Sequence, residues 1–192
     1  MIVGLTGGIG TGKTMVAKLF SMFGAKVFNS DESAKLLYFD PLIKEKIIAL
    51  LGKDCYTSDT TLNKKYISDK VFSDTALLQK LNAIIHPAVV NDFKKFAAKY
   101  PNELIIKESA ILFETGLYKG LDKTILVSSP IELRLKRVME RDGLSEQEVK
   151  NRIKSQLSEE EKLKLADFVI NNNERDFLIT QTLTIFNELT HA

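Results

Sequence analysis

Short apolar runs alternate along this chain with segments in which apolar residues recur every three or four positions. Five of the runs predict strands, at residues 2–6, 25–28, 104–107, 124–128 and 168–171. The periodic segments predict helices over residues 13–23, 130–142, 145–156, 158–166 and 174–190. Because helices separate the strands, the alternation predicts an α/β fold with a five-stranded parallel sheet.

The interval between the second and third predicted strands is too long for a simple crossover. It covers about residues 31–100, and its helical segments are predicted to break at Pro41, Gly52 and Pro87. Residues 54–61 are expected to form a polar loop. The sequence therefore predicts an inserted helical region between these two strands.

A second helical region follows the fourth predicted strand. Ser129 and Pro130 predict a helix start with the proline at the first helical position, and Gly143 predicts its end. Charged helices on both sides of this glycine indicate a helical hairpin that forms a mobile lid, at about residues 131–166. No linker rich in Pro, Gly or Ser interrupts the sequence, so we expect a single domain with its core at 1–30, 101–130 and 167–192.

Residues 7–14 form a complete G-x-x-x-x-G-K-[ST] motif directly after the first predicted strand. In this motif the backbone N–H groups surround phosphate, Lys13 adds a cation near the β and γ phosphates, and the Thr14 hydroxyl can ligate Mg²⁺. An ordinary glycine turn is the alternative. The strand before the motif and the helix after it favour nucleotide binding, since the helix N-terminus points at the phosphates.

Two carboxylates follow predicted strands, where the ligand crevice of a parallel sheet is found. Asp31 could accept a proton from an acceptor hydroxyl or hold a water bound to Mg²⁺, but it could equally be an acidic residue in the first turn of a helix. Glu108 could meet the metal or its water, and the alternative is a surface glutamate.

Three arginines, Arg134, Arg137 and Arg141, share one face of the first lid helix. Like charges at i and i+4 repel slightly, and a bound anion would offset that repulsion. We therefore predict that this face meets phosphates, with Arg152 as a weaker addition, rather than forming a solvated charged surface.

Composition narrows the class of protein. The formal net charge is only +2, which gives no general case for nucleic acid or for an acidic membrane surface. The single cysteine, Cys55, cannot form a disulfide within the chain, and no apolar run approaches the length of a membrane span. We expect a cytoplasmic protein that is a monomer or a weak homo-oligomer and binds neither nucleic acid nor membrane.

An ordered series of segments resembles the dephospho-CoA kinase family. The series comprises residues 4–14, 81–87, 112–114, 137 with 141–143, 152–156, 166–170 and 172. The resemblance implies ATP-dependent phosphorylation of the ribose 3′-hydroxyl of dephospho-coenzyme A, the last step of coenzyme A biosynthesis, with Mg²⁺. It also implies the three-layer fold of P-loop kinases, with a helical substrate-binding insertion and a helical lid.

The resemblance assigns roles by position. It implies Lys13, Asp31 and Arg137 as catalytic residues and Thr14 as a ligand of Mg²⁺. The residues implied for ATP are Gly8, Gly10, Thr11, Gly12, Lys13, Thr14, Met15, Arg141 and Asn172, and those implied for the acceptor are Asp31, Asn82, His86, Leu112 and Glu114. Structural roles are the alternatives for His86, a lone histidine, and for Leu112, which lies in an apolar trio.

This chain also departs from the family pattern. The family usually has Asp-Ala-Asp after its second strand, where this chain has Asn29, Ser30 and Asp31. Glu108 stands where the family has Asp, and Ala110 stands where it has Pro. Asp31 therefore keeps the position of the base, while the reach of Glu108 toward metal or substrate is open.

Three other functions are alternatives. A structural or nucleic-acid-binding ATPase module would be expected to show a basic stripe with interleaved aromatic residues, which the near-neutral charge does not support. A guanine-nucleotide switch needs an Asn-Lys-x-Asp segment, and the nearest candidate, at residues 63–66, lacks the acid. Another P-loop nucleoside or small-metabolite kinase would share both the loop and the lid arginines, so only the acceptor distinguishes it.

Overall fold

The computed structural model describes the backbone of residues 1–191 and their side chains except those at positions 72 and 73. The strands are β1 (Ile2–Thr6), β2 (Lys26–Asn29), β3 (Tyr56–Ser58), β4 (Thr61–Leu62), β5 (Ile105–Glu108), β6 (Lys123–Ser128) and β7 (Phe168–Asn171). The helices are α1 (Lys13–Met22), α2 (Ser30–Leu37), α3 (Pro41–Leu51), α4 (Lys64–Ser73), α5 (Thr75–Ala98), α6 (Ile131–Asp142), α7 (Glu146–Lys154), α8 (Glu159–Leu165) and α9 (Leu178–Thr190).

Five parallel strands form the main sheet, in the order β2-β5-β1-β6-β7. The predicted α/β fold with a five-stranded parallel sheet is confirmed. The apolar strand residues are buried because helices α1 and α9 pack on them, as expected for parallel strands joined by helical crossovers. The resulting core contains Val3, Leu5, Val16, Phe20, Ile106, Ile125, Val127, Ile170 and Ile185.

The chain divides into two compact units. The first comprises Met1–Asn29 and the described residues from Tyr100 onward, and it contains the main sheet. The second, Ser30–Lys99, contains helices α2 to α5 around a separate apolar core of Ile47, Leu51, Cys55, Ile67, Leu81 and Ile85. The expectation that all of these residues act as a single domain stays a prediction.

Two sequence predictions inside the second unit are wrong. Pro87 does not break a helix, since the 24-residue helix α5 continues through it to Ala98. Leu81 and Ile85 of the same helix are buried in the core of this unit. Residues 54–61 are not a plain loop, because β3 and β4 form a short antiparallel hairpin. The hairpin is anchored by Tyr56, whose hydroxyl donates to the backbone oxygen of Tyr38 at 2.6 Å. In both cases packing with distant residues overrides a local signal.

The start of α6 is displaced by one residue from its prediction. Helix α6 begins at Ile131, and Pro130 is its cap rather than its first helical residue. Gly143 ends the helix in the left-handed conformation, with φ of 66°, as predicted. None of the helices in the described part of the chain combines the length and the apolar character needed to cross a membrane.

Candidate functional site

The loop between β1 and α1 is closed by its own side chains. The buried Thr11 donates from Oγ1 to the Gly8 carbonyl oxygen at 2.9 Å, and Lys13 Nζ donates to the Gly7 and Gly8 oxygens at 2.8 and 3.3 Å. Gly12, with φ of 91°, caps α1 in a conformation that other residues rarely adopt. Because these contacts turn the loop carbonyls inward to Thr11 and Lys13, the loop has the fixed shape that phosphate binding by backbone amides requires.

A pocket of about 180 Å³ lies over this loop. Its lining residues come from the loop, from α1 and from α6, and they are Gly10, Gly12, Lys13, Thr14, Arg137 and Arg141. The structure thus brings the predicted phosphate loop together with two predicted lid arginines. A pocket with three cations and the N-terminus of a helix suits a polyphosphate.

Glu108 ends β5 beside the loop and is almost fully buried. The alternative that Glu108 is a surface glutamate is therefore wrong. Its Oε1 accepts a hydrogen bond from Thr14 Oγ1 at 3.0 Å, and its Oε2 accepts one from Asn29 Nδ2 at 2.9 Å. Mg²⁺ prefers oxygen ligands such as hydroxyl and carboxylate groups. The ion usually has one or two protein ligands, and phosphates and water complete its coordination shell. Thr14 and Glu108 therefore fit a magnesium ion at the loop.

Within the described residues there is no cluster of three or more histidine, cysteine or carboxylate side chains that could hold a metal ion on their own.

Arg137 is held between the end of β6 and the segment after β7. Its Nη1 donates to Ser129 Oγ at 3.1 Å, and its Nη2 donates to Glu174 Oε1 at 3.1 Å and to Asn172 Oδ1 at 3.5 Å. The Asn172 amide in turn donates to the Thr11 carbonyl oxygen at 2.8 Å. Asn172 therefore connects the phosphate loop to Arg137 through hydrogen bonds.

Arg141, the second arginine of the pocket, makes two hydrogen bonds to the neighbouring Asp142, at 2.7 and 2.9 Å. These bonds hold the pKa of Asp142 below its usual value and raise the pKa of Arg141. Its side chain remains largely exposed, so it can meet a ligand in the pocket. Met15, predicted to contact ATP, is also exposed, on the first turn of α1.

The prediction that three arginines of α6 face phosphate together is wrong for Arg134, which does not line the pocket. Its side chain is only 7% exposed, and its Nε donates to the Ile9 carbonyl oxygen at 3.0 Å while Nη1 pairs with Glu159 at 3.4 Å. Burial lowers the pKa of Arg134, and the Glu159 carboxylate opposes this shift. Sequence reasoning missed this contact because Arg134 has the same helical spacing as the other two arginines.

Glu114 and Leu112, predicted to meet the acceptor, have structural contacts in the first unit. Glu114 Oε1 accepts from Lys162 Nζ at 3.0 Å and from the Leu157 backbone N–H at 3.1 Å. Leu112 is fully buried, and its side chain packs against Gly4 of β1. Their roles in binding the acceptor stay predictions.

Comparison with known proteins identifies the family of this chain. The sequence model of the dephospho-CoA kinase family matches residues 1–176. Over 173 residues the chain is 40% identical to a dephospho-CoA kinase of Fusobacterium nucleatum, an alignment that covers 90% of each protein. The chain belongs to the dephospho-CoA kinase family. The family that the sequence motifs predicted is therefore confirmed, and with it the class of enzyme, a kinase.

Solved structures support the fold. A crystal structure from Thermus thermophilus matches 99% of this chain and 98% of its own, with a TM-score of 0.89 and 34% identity. A dephospho-CoA kinase from Campylobacter jejuni matches 100% of this chain and 98% of its own, with a TM-score of 0.65 and 24% identity, which supports the fold alone. The P-loop kinase fold is confirmed.

Three residues that the dephospho-CoA kinase resemblance assigned to the acceptor lie in the second unit. Asp31 is exposed in the first turn of α2, next to Glu32. Asn82 and His86 lie four residues apart on α5, a spacing that places them on one helix face. Their part in the reaction stays a prediction.

Proposed function

We propose that this chain transfers the γ-phosphoryl group of ATP to the ribose 3′-hydroxyl of dephospho-coenzyme A, giving coenzyme A and ADP. The observation that carries the proposal is the pocket in which Lys13, Arg137 and Arg141 surround the phosphate loop, in a chain of the dephospho-CoA kinase family. Phosphoryl transfer depends mainly on positioning and on neutralising charge, and this pocket supplies both.

In this mechanism the bond between the γ phosphorus and the bridging oxygen of ADP breaks as a bond to the 3′-oxygen forms. Asp31 accepts the proton that the hydroxyl loses. Lys13 and Arg137 neutralise the negative charge on the oxygens of the transferring group, and Arg141 contributes to binding of the phosphates. Closure of the lid excludes water, which would otherwise act as the acceptor.

Magnesium is part of the proposal. Thr14 and Glu108 would hold the ion, which would supply positive charge to the phosphates of ATP. Asn29 donates a hydrogen bond to Glu108 and thereby fixes the orientation of the carboxylate. This arrangement makes use of Asn29 and Glu108, two of the residues at which the chain departs from the family pattern.

We further propose that Asn82, His86, Leu112 and Glu114 contact dephospho-coenzyme A, and that Met15 and Asn172 contact ATP. These roles are supported by their positions in the segments that resemble the family. A cytoplasmic location is proposed because a reducing compartment suits the buried free thiol of Cys55. We propose a monomer or a weak homo-oligomer that acts on a small molecule and binds neither nucleic acid nor membrane.

Mass spectrometry of the acceptor tests the reaction. The purified protein with ATP and Mg²⁺ is expected to add one phosphate to dephospho-coenzyme A and to leave adenosine and shikimate unchanged. The Lys13→Ala variant is the control for contaminating kinases, and its kcat is expected to fall about 100-fold or more because one cation at the transferring group is lost. Phosphorylation of adenosine or shikimate in place of dephospho-coenzyme A would favour the alternative of another small-metabolite kinase.

A further inference from the structure

The backbone of Ile9, at the tip of the phosphate loop, is held on both sides by the lid region. Its N–H donates to Gln156 Oε1 at 3.0 Å, and its carbonyl oxygen accepts from Arg134 Nε at 3.0 Å. Arg134 belongs to α6, and Gln156 lies between α7 and α8. Two side chains distant in sequence therefore fix both backbone polar groups of Ile9, which belong to two successive peptide units of the loop.

The contact with Arg134 requires glycine at positions 8 and 10 of the loop. A Cβ on Gly8 would lie 2.1 Å from Arg134 Nη2, and a Cβ on Gly10 would lie 2.8 Å from the Arg134 backbone oxygen. The guanidinium thus occupies the space that the missing side chain of Gly8 leaves. Glu159 completes the arrangement, because its carboxylate pairs with Arg134 and holds the guanidinium in place.

A glycine-rich loop loses much conformational entropy when it becomes ordered around a ligand. Hydrogen bonds that order the loop beforehand reduce the cost of binding, which is the general benefit of preorganisation. Ile9 is next to Gly10, which lines the pocket, so its orientation sets the direction of the following amides.

We propose that Arg134 and Gln156 are positioning residues that hold the Ile9 peptide units and thereby preset the loop amides for the phosphates of ATP. This inference rests on the proposed function, in which residues 7–14 bind ATP. Neither Arg134 nor Gln156 lines the pocket over the loop, so both would act through the loop.

Gln156→Ala is the main test, because it removes one neutral hydrogen bond and leaves no charge unpaired. We expect the Kd for ATP with Mg²⁺, measured by calorimetry, to rise about 5-fold, as one hydrogen bond contributes about 1 kcal/mol. The KM for dephospho-coenzyme A is expected to stay unchanged. The matched control is Gln147→Ala, since Gln147 is exposed on α7 and bonds only Asn151 among the hydrogen bonds described for its side chain.

A second measurement separates positioning from general stability. Hydrogen exchange of the Ile9 amide in the protein without nucleotide is expected to be about 5-fold faster in Gln156→Ala than in Gln147→Ala, while core amides of β1 exchange at equal rates. Arg134→Lys keeps the charge beside Glu159 but lacks the Nε–H group, and it is expected to raise the Kd for ATP about 10-fold.

Each negative result has a distinct meaning. If the unmodified protein binds ATP and both variants bind it as tightly, the positioning role is overturned and the proposed function stands. If the unmodified protein does not bind ATP at all, the proposed function is overturned. Equal losses of ATP affinity in Gln156→Ala and Gln147→Ala would also overturn the positioning role, because they would reflect a general effect on α7 and the segment that follows it.

Discussion

Asp31 and Glu32 are neighbouring carboxylates in the first turn of α2, and only one of them has a proposed catalytic role. Glu32 forms an exposed ion pair with Lys35 at 2.9 Å, an arrangement of little energetic value at a protein surface. The two residues have the same charge and nearly the same place in the helix. They therefore allow the base role of Asp31 to be separated from a general effect of negative charge at a helix N-terminus.

We predict that Asp31→Asn lowers kcat by about 100-fold or more and leaves the Kd for ATP nearly unchanged, because the amide cannot accept the proton of the acceptor hydroxyl. Steady-state kinetics and calorimetry on the same preparation measure the two quantities. Glu32→Gln is the matched control and should keep near-normal turnover. Near-normal turnover in Asp31→Asn would instead assign this residue to stabilising the helix.

Asn29 shows how two departures from the family pattern compensate each other. An aspartate at position 29 would place a second carboxylate within hydrogen-bond distance of the buried Glu108 carboxylate, and two like charges at that distance repel. Asn29 instead donates from Nδ2 to Glu108 Oε2 at 2.9 Å. Asn at position 29 therefore stabilises the Glu108 carboxylate instead of repelling it. Glu108, which is one methylene longer than the Asp of the family pattern, accepts a hydrogen bond from the Thr14 hydroxyl at 3.0 Å.

Among the helices, α8 is held to the segment after β5 by a buried ion pair between Lys162 and Glu114. Lys162 is only 1% exposed, and its Nζ lies 3.0 Å from Glu114 Oε1. The same carboxylate accepts the backbone N–H of Leu157, just before α8. The start of α8 is thus tied to the chain that leaves β5.

Lys162→Met is predicted to lower the free energy of unfolding by about 3 kcal/mol, because it leaves the buried Glu114 carboxylate without its cation. Urea unfolding followed by circular dichroism gives this quantity. Lys164→Met, an exposed position on the same helix, should change it by less than about 0.5 kcal/mol. The double variant Lys162→Met with Glu114→Gln should recover part of the loss. A single variant as stable as the control would show that the pair does not fasten α8.

At the scale of the whole molecule, nucleotide binding and stability are linked, because a ligand that binds only the folded state stabilises it. At a concentration 100 times its Kd, ATP with Mg²⁺ is expected to contribute about 2.7 kcal/mol. For a chain of this length that raises Tm by about 5–10 °C. A thermal unfolding scan measures the shift, and Lys13→Ala should lose most of it. An equal shift in both proteins would place the nucleotide away from the loop.

Much of the fold followed from the sequence because the signals that specify it are local. The five strands of the main sheet lie within one or two residues of their predicted ends, since buried parallel strands have continuous apolar runs bounded by helices. The phosphate loop is equally local, because its glycines, Lys13 and Thr14 lie within eight consecutive residues. The ordered motifs of the family added the activity, which composition and spacing by themselves left open among P-loop kinases.

Other features were decided only by tertiary structure. Arg134 looks like its two neighbours on the helix, and it is set apart by a hydrogen bond to Ile9, 125 residues away in the chain. Gln156 meets the same residue across 147 positions, and Lys162 is buried by its pairing with Glu114 rather than by any pattern in α8. Pro87 likewise stays within a helix because packing outweighs the local signal to break it. Local patterns therefore specify the elements and the phosphate loop, whereas contacts between distant residues set which charged side chains stabilise the loop and which line its pocket.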